Sequence, residues 1–406
     1  MTTECSAPAS AVTSTVDARG TESSEASPPA QGLGGWAPIA ALSFGIATLV
    51  GSEFLPASVL PTMAADLGIS EGLAGLAVAT TAVAGAATAP SIAVLLPRTD
   101  RRTVLVGLLV AATLANLTVA VAPSFAVLLA GRLLLGVAIA GYWSFAFGAG
   151  TSARPGMDHV VSTALAAGVS VATVIGVPVA SLVGDAVGWR AVFLGATAVS
   201  ALSVLAVAAR VPSVPAHPTA GLTMLRRAVA NRRLMAGIAF VVLAAFGNFA
   251  AYPYIRVAID EVAPHGTSWL LLVWGLGGLV GNLAAGALSG RLRLAVAGAP
   301  LLLGAGLVLT AVAPGAPLLA VGIVVWGLAF NMVPVATQLW VTRVDPEHAE
   351  SAIVLQVTAF QVAITLGSAV GGALVDGYPV QATLLVGAAF AIVSGLGFSA
   401  LRAPRG

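Results

Sequence analysis

The chain has 406 residues, of which 58% are hydrophobic and only 8% charged. A soluble globular protein carries about 25% charged residues, so a water-facing surface on a chain of this size is excluded and lipid is the expected solvent. All 18 basic residues are Arg and the formal net charge is only +2, with the arginines scattered; this is no nucleic-acid signature, and the single cysteine, Cys5, excludes an intrachain disulfide or a cysteine metal cluster.

Residues 1–35 are rich in Ser, Thr, Ala and Pro and lack the basic start and apolar core of a signal peptide. They are expected to form a disordered cytoplasmic tail. A membrane-spanning helix needs roughly 20 apolar residues. Twelve segments qualify: 37–62, 72–96, 103–122, 126–150, 160–184, 190–210, 233–256, 268–289, 295–313, 317–340, 351–375 and 381–402. The expected fold is an all-α membrane protein of twelve transmembrane helices in two pseudo-symmetric six-helix bundles, 36–210 and 233–402. A polar linker, 211–232, with Pro212, Pro215 and Pro218, joins them, and 403–406 form a short cytoplasmic tail.

Arginine placement sets the expected orientation. With the N-terminus inside, fifteen arginines fall on the cytoplasmic side, Arg190 and Arg256 fall in outer loops, and Arg132 lies within a span. An even number of crossings returns the C-terminus to the cytoplasm. The outer loops then carry Asp66, Glu71, Asp185, Asp260, Glu261 and Asp376.

The sequence overlays on itself at a shift of 191. AVAPSFAVLLAGRLLLG at 120–136 matches AVAPGAPLLAVGIVVWG at 311–327, and further on Gly176 falls on Gly367 and Asp185 on Asp376. A duplicated six-helix unit implies two parallel halves with a substrate site between them near the midplane. At this shift Arg132 aligns with Ile323 and Pro178 with Ala369; a looser alignment of Gly51 with Gly247 puts Glu53 opposite Phe249.

Glu53 and Arg132 are the acid and the base deepest within spans. Each costs about 3 kcal/mol at a helix centre on insertion scales. At 1.5 Å per residue both lie roughly 9–14 Å below the outer surface, so they could meet directly or through water. One reading is a proton-coupling site, in which proton and substrate compete; the other is a static ion pair fixing two helices. Trp143, eleven residues past Arg132, returns to the same helix face and could stack on a planar substrate. Asn248 and Tyr252 share a face, Gln361 and Thr365 belong to a polar stripe, and Asn331 and Gln338 have similar standing as cavity-lining candidates. Gly176, Pro178 and Gly184 are expected to permit close helix contact and a bend. No phosphate loop, zinc site or nucleophile triad is present, so an enzyme is not expected and the energy source is expected to be an ion gradient rather than a cofactor.

These residues carry a resemblance. Arg132 with Gly136 in LLAGRLLLGVAIAG, Gly176-Val177-Pro178, and Gly188-Trp189-Arg190 resemble motifs of the major facilitator superfamily, specifically its drug:proton antiporter group. The loop after the second span keeps Arg98, Arg101 and Arg102, but Pro97 stands where that group has Asp and Asp100 where it has Gly. EFLPASVLPTMAADLGISEGLAG, TDRRTV, GRLLLGVAIAGYW, GWRAVF, YIR and AGAPL resemble the bacterial purine ribonucleoside efflux permeases. The resemblance implies a monomeric inner-membrane antiporter that uses protons to export a purine nucleoside or analogue. Related permeases export sugars or drugs such as chloramphenicol. Physics alone leaves export against import open, and a non-transporting receptor or sensor stands as the alternative of a different class.

Overall fold

A computed structural model describes residues 35–96, 98–215 and 229–401. The expected tails, Pro97 and most of the linker lie outside the described residues.

From Trp36 onward the chain is one compact helical unit. The helices, in order, are α1 (Ala37–Leu67), α2 (Glu71–Leu95), α3 (Arg101–Ala120), α4 (Phe125–Ala153), α5 (Asp158–Val171), α6 (Val177–Val187), α7 (Trp189–Arg210), α8 (Arg232–Ala251), α9 (Ile255–Val262), α10 (Thr267–Ala287), α11 (Leu292–Ala311), α12 (Ala316–Val344), α13 (Ala349–Gly377) and α14 (Val380–Ala400). Among the described residues, eleven helical segments are long and apolar enough to cross a membrane. One of them, Thr267–Ala311, runs 45 residues and is interrupted by a 3-10 turn at Leu288–Arg291.

Local chemistry sets the helix ends. Ser70 caps α2 by accepting from the Leu73 amide, Asp100 caps α3 through Thr103, and Asn231 caps α8 through Arg233 and Leu234. Gly68 ends α1 in the left-handed conformation at φ 65°, where its N–H reaches the carbonyls of Ala64 and Ala65. Gly188, at φ 94°, makes the sharp break between α6 and α7.

The duplication extends to the helix ends. Shifting α3 and α4 by 191 positions gives the bounds of α11 and α12 at both ends. The first helix repeats at a shift of 195: α1 at Ala37–Leu67 reappears as α8, a Tyr252–Tyr254 turn and α9 at Arg232–Val262. That register sets Glu53 opposite Asn248 and corrects the looser alignment by one residue. A glycine match in apolar sequence tolerates such a slip; helix ends do not.

Two seams join the halves. In one, α2 packs along α13, and in the other the α5–α6 segment packs on α10. Between α5 and α6 the helix widens into a π turn at Ala172–Gly176. Pro178 has no N–H for the Val174 carbonyl, which accounts for the irregularity. The expected close contact at Gly176 is absent, because a methyl group there would meet open space. At Gly184 it would press on Val59.

Candidate functional site

The central site begins with a proline. Pro56 lies inside α1, and its missing N–H leaves the Ser52 carbonyl without a helical donor. Arg132, fully buried on α4, fills that gap. Its Nη1 donates to the Ser52 carbonyl at 2.8 Å, Nη2 to the Glu53 carbonyl at 2.9 Å and Nε to the Ala77 carbonyl at 3.0 Å. One guanidinium therefore ties α1, α2 and α4 together with charge-assisted bonds. Asn116 extends the polar connection, donating to Ser52 Oγ at 2.9 Å and Ser200 Oγ at 3.1 Å.

This changes the expected meeting of Glu53 and Arg132. They touch through the Glu53 backbone. Among the described residues no ion pair joins the Glu53 carboxylate to Arg132, and the carboxylate makes no hydrogen bond. The planar fork of the guanidinium matches two consecutive carbonyls, so the carboxylate lies within reach of the arginine's charge without bonding to it.

Next to Glu53, Phe54 points into a group of rings supplied mainly by the second half. Tyr252 stacks on Trp274 at 5.1 Å between centroids and on Phe330 at 5.7 Å with an interplanar angle of 18°. Trp274 and Phe330 are 5.1 Å apart. Phe54 meets Tyr252 edge-on at 5.2 Å, and Phe249 lies 6.0 Å from Tyr252. Asn248, one turn before Tyr252, accepts from Trp326 Nε1 at 2.9 Å.

The other candidates fall in three places. Gly136 packs on the Thr81 carbonyl of α2, whereas Gly141 packs on Ile92 and Leu108. Both glycines face α2, whereas Trp143 and Phe147 further along α4 are 42% and 46% exposed. Gln338 on α12 is exposed at the position matching Phe147 in the repeat, while Asn331 is buried against Gly278. Gln361 and Thr365 lie at the α2–α13 seam: Gln361 packs on Gly85, and Thr365 Oγ1 reaches the Ala79 carbonyl at 3.5 Å. The arginines at the start of α3 hold the first half, and the Arg101 amide donates to the Val214 carbonyl at the start of the linker. Arg101 donates to the Leu96 carbonyl at 3.0 Å and covers Phe145, Arg102 donates to the Ala208 carbonyl, and Arg98 is at the surface. The carboxyl of Asp100 is pushed up by what burial it has, but bonds from Ser213 and from the amides of Thr103, Val214 and Arg102 outweigh this and hold it below its ordinary value.

Sequence reasoning missed the end of the bundle that carries the α1–α2 turn. Arg256, assigned to an outer loop, is 6% exposed. It donates to the Ser58 carbonyl at 2.6 Å and to Ser181 Oγ at 3.3 Å, and pairs with Asp185 and Asp260. Tyr254 donates to the Gly72 carbonyl at 3.3 Å and the Ser368 carbonyl at 3.1 Å. Asp376 accepts from Ser70 Oγ at 2.7 Å and the Gly72 amide at 2.9 Å. Hydrogen bonds between the halves concentrate here, so the structure is fastened at this end. The i, i+4 spacing of Arg256 and Asp260 was the available signal.

Apolar helices long enough to cross a membrane, packed along two seams and fastened at one end, form the architecture of a membrane transporter. The model of the Major Facilitator Superfamily matches residues 42–258 and again 234–406, and the chain belongs to that family. It is 34% identical over 369 residues, 89% of this chain and 93% of the relative, to the purine ribonucleoside efflux pump NepI of Escherichia coli strain K12, and equally to that of Shigella flexneri. Among solved structures, a bacterial homologue of the human lysosomal transporter Spinster, inward-facing and unoccupied, superposes with a TM-score of 0.74 at 15% identity, covering 91% of this chain and 97% of that one. The nucleoside transporter NupG superposes with a TM-score of 0.70 at 17% identity, covering 89% and 98%. The protein is a multi-pass membrane transporter and not an enzyme, which sets aside the receptor alternative.

Proposed function

We propose that the protein exports purine ribonucleosides or their analogues by proton-coupled antiport. The cargo rests on the 34% identity to purine ribonucleoside efflux pumps, spread over 93% of their length. The observation that carries the coupling is the Glu53 carboxylate, which makes no hydrogen bond or contact ion pair among the described residues and feels the charge of an arginine whose donors are occupied by three carbonyls. Such a group can take a proton when the site opens to one side and release it when the site opens to the other. The proton gradient is then the energy source and no cofactor is needed.

The proposal includes twelve crossings. A 45-residue helix would be about 68 Å long at 1.5 Å per residue, twice the hydrocarbon thickness, so the turn at Leu288–Arg291 divides it into two spans. The halves are then 36–210 and 233–402 around a 211–232 linker. Both termini and the linker lie in the cytoplasm by the arginine bias, in the inner membrane, and the protein acts as a monomer. The fastened end then faces outward.

Purified protein in proteoliposomes with an imposed pH gradient tests this. Inosine, a sugar and chloramphenicol are offered separately. Uphill movement of inosine that stops when the gradient is collapsed is the expected result. Movement of only the sugar or only chloramphenicol overturns the cargo, and uphill movement without a gradient overturns the coupling.

A further inference from the structure

Four buried polar groups around the ring cluster have no partner. They are Tyr252 Oη, Trp274 Nε1, Asn248 Nδ2 and Asn331 Nδ2. The orientation of Asn248 is fixed, because its Oδ1 accepts from Trp326 Nε1; the free atom is therefore the donating nitrogen. Trp274 Nε1 is a donor only. The four lie within two helical layers. Asn248 precedes Tyr252 by one turn, Asn331 follows Phe330 directly, and Asn331 packs on Gly278, one turn past Trp274. A buried donor left unmade is costly, and in native proteins such a group calls for an explanation. Here four occur around three mutually packed rings in the middle of a transporter.

We infer that Tyr252, Trp274 and Phe330 form a stacking platform for a planar, acceptor-rich heterocycle, and that Tyr252 Oη, Trp274 Nε1 and the Asn248 amide read its edge. A purine presents acceptor nitrogens around its rim and a flat face of matching size. The aromatic faces supply sequence-tolerant stacking, and the donors supply the preference for a base over a bare ring. Phe330 is the partly exposed member of the three, so the ligand reaches the platform from its side. Phe54 holds Tyr252 edge-on at 5.2 Å and must swing aside for the ring to enter. Phe54 follows Glu53 directly on α1, so base insertion and the free carboxylate share one helix turn. The assignment moves the base-stacking role from Trp143, on the exposed face of α4, to residues of the second half.

This deepens the nucleoside-export reading and rests on it for the identity of the base. The test uses two variants that keep the rings, Trp274→Phe and Tyr252→Phe, with inosine binding to the purified full-length protein measured by quenching of intrinsic fluorescence and by scintillation proximity. Each variant is expected to weaken inosine binding about fivefold, equivalent to about 1 kcal/mol, while Trp143→Phe leaves it unchanged. Unchanged binding in both ring-keeping variants overturns the platform, as does a loss confined to Trp143→Phe. If the wild-type protein binds chloramphenicol instead of inosine and both variants weaken it, the rings stack a nitrophenyl group, and the heterocycle preference and the nucleoside reading both fall. If it binds only a sugar, both fall. Tyr252→Phe removes one oxygen from a packed ring and serves as the readout if Trp274→Phe expresses poorly.

Discussion

The two halves share helix lengths and differ in what fills them. The α4 helix of the first half and α12 of the second start and stop 191 positions apart. At one matched position, buried in both, the first half has Arg132 and the second Ile323. The break in the first helix of each half differs as well. The first half keeps α1 helical through Pro56 because a guanidinium takes over the freed carbonyl. The second half has no arginine there, and its chain tightens into a 3-10 turn at Tyr252–Tyr254 around Pro253. That turn aims Tyr252 at Trp274 and Phe330. A duplicated scaffold has thus placed a charge in one half and rings in the other, and the free carboxylate of Glu53 sits where they meet.

The comparison can be broken at four points. The largest effect is expected from Arg132→Met, which strands the Ser52 carbonyl freed by Pro56 and removes charge-assisted bonds to the Glu53 and Ala77 carbonyls, each contributing about 1.5–3 kcal/mol. Its counterpart Ile323→Val should cost only about 1 kcal/mol. Thermal unfolding of the purified proteins should show the first variant lost or far less stable and the second near wild type; equal losses would mean that the two positions are alike. Next is Arg256→Gln, which removes the bonds to the Ser58 carbonyl and Asp185 that fasten one end. Charged hydrogen bonds contribute about 1.5–3 kcal/mol, so opening at that end should rise tenfold or more. The measurement is labelling of Ser58→Cys, buried in the wild type, by an impermeant maleimide in whole cells.

Smaller and equal effects are expected where the halves are alike. Gly136 presses on the Thr81 carbonyl and its repeat partner Gly327 on the Trp274 carbonyl. Alanine at either should cost about 1–3 kcal/mol by overpacking, read as matched falls in melting temperature. An effect at one site only would deny the shared scaffold. The smallest change is Asp100→Ala, which removes the α3 cap for about 1 kcal/mol. Because the Asp100 carboxyl is held below its ordinary value, this contribution is present above the ordinary carboxylate range and fades as the pH falls through the lowered value. The variant should therefore differ from wild type at neutral pH and converge with it in acid.

Much of the scaffold was legible because it repeats. The AVAP corners at 120 and 311 fixed the 191 shift, and that shift reaches helix ends that hydropathy alone placed several residues off. Arg132 was legible as an exception, since a charge in apolar sequence is conspicuous. Its partners were not, because a carbonyl freed by Pro56 leaves no side-chain trace. Trp274 and Phe330 were invisible for the opposite reason: an aromatic in an apolar helix looks like ordinary core. Arg256 was misplaced because the sequence does not show that the Ser58 carbonyl, Ser181 and Asp185 of the first half close over it.

The central claim is that Glu53 carries the proton. The direct test is inosine flux in proteoliposomes with Glu53→Gln, compared with wild type at equal reconstituted amounts. Gradient-driven accumulation should be lost while downhill inosine exchange, which needs no net proton movement, persists. Full accumulation against the inosine gradient by Glu53→Gln would contradict the account.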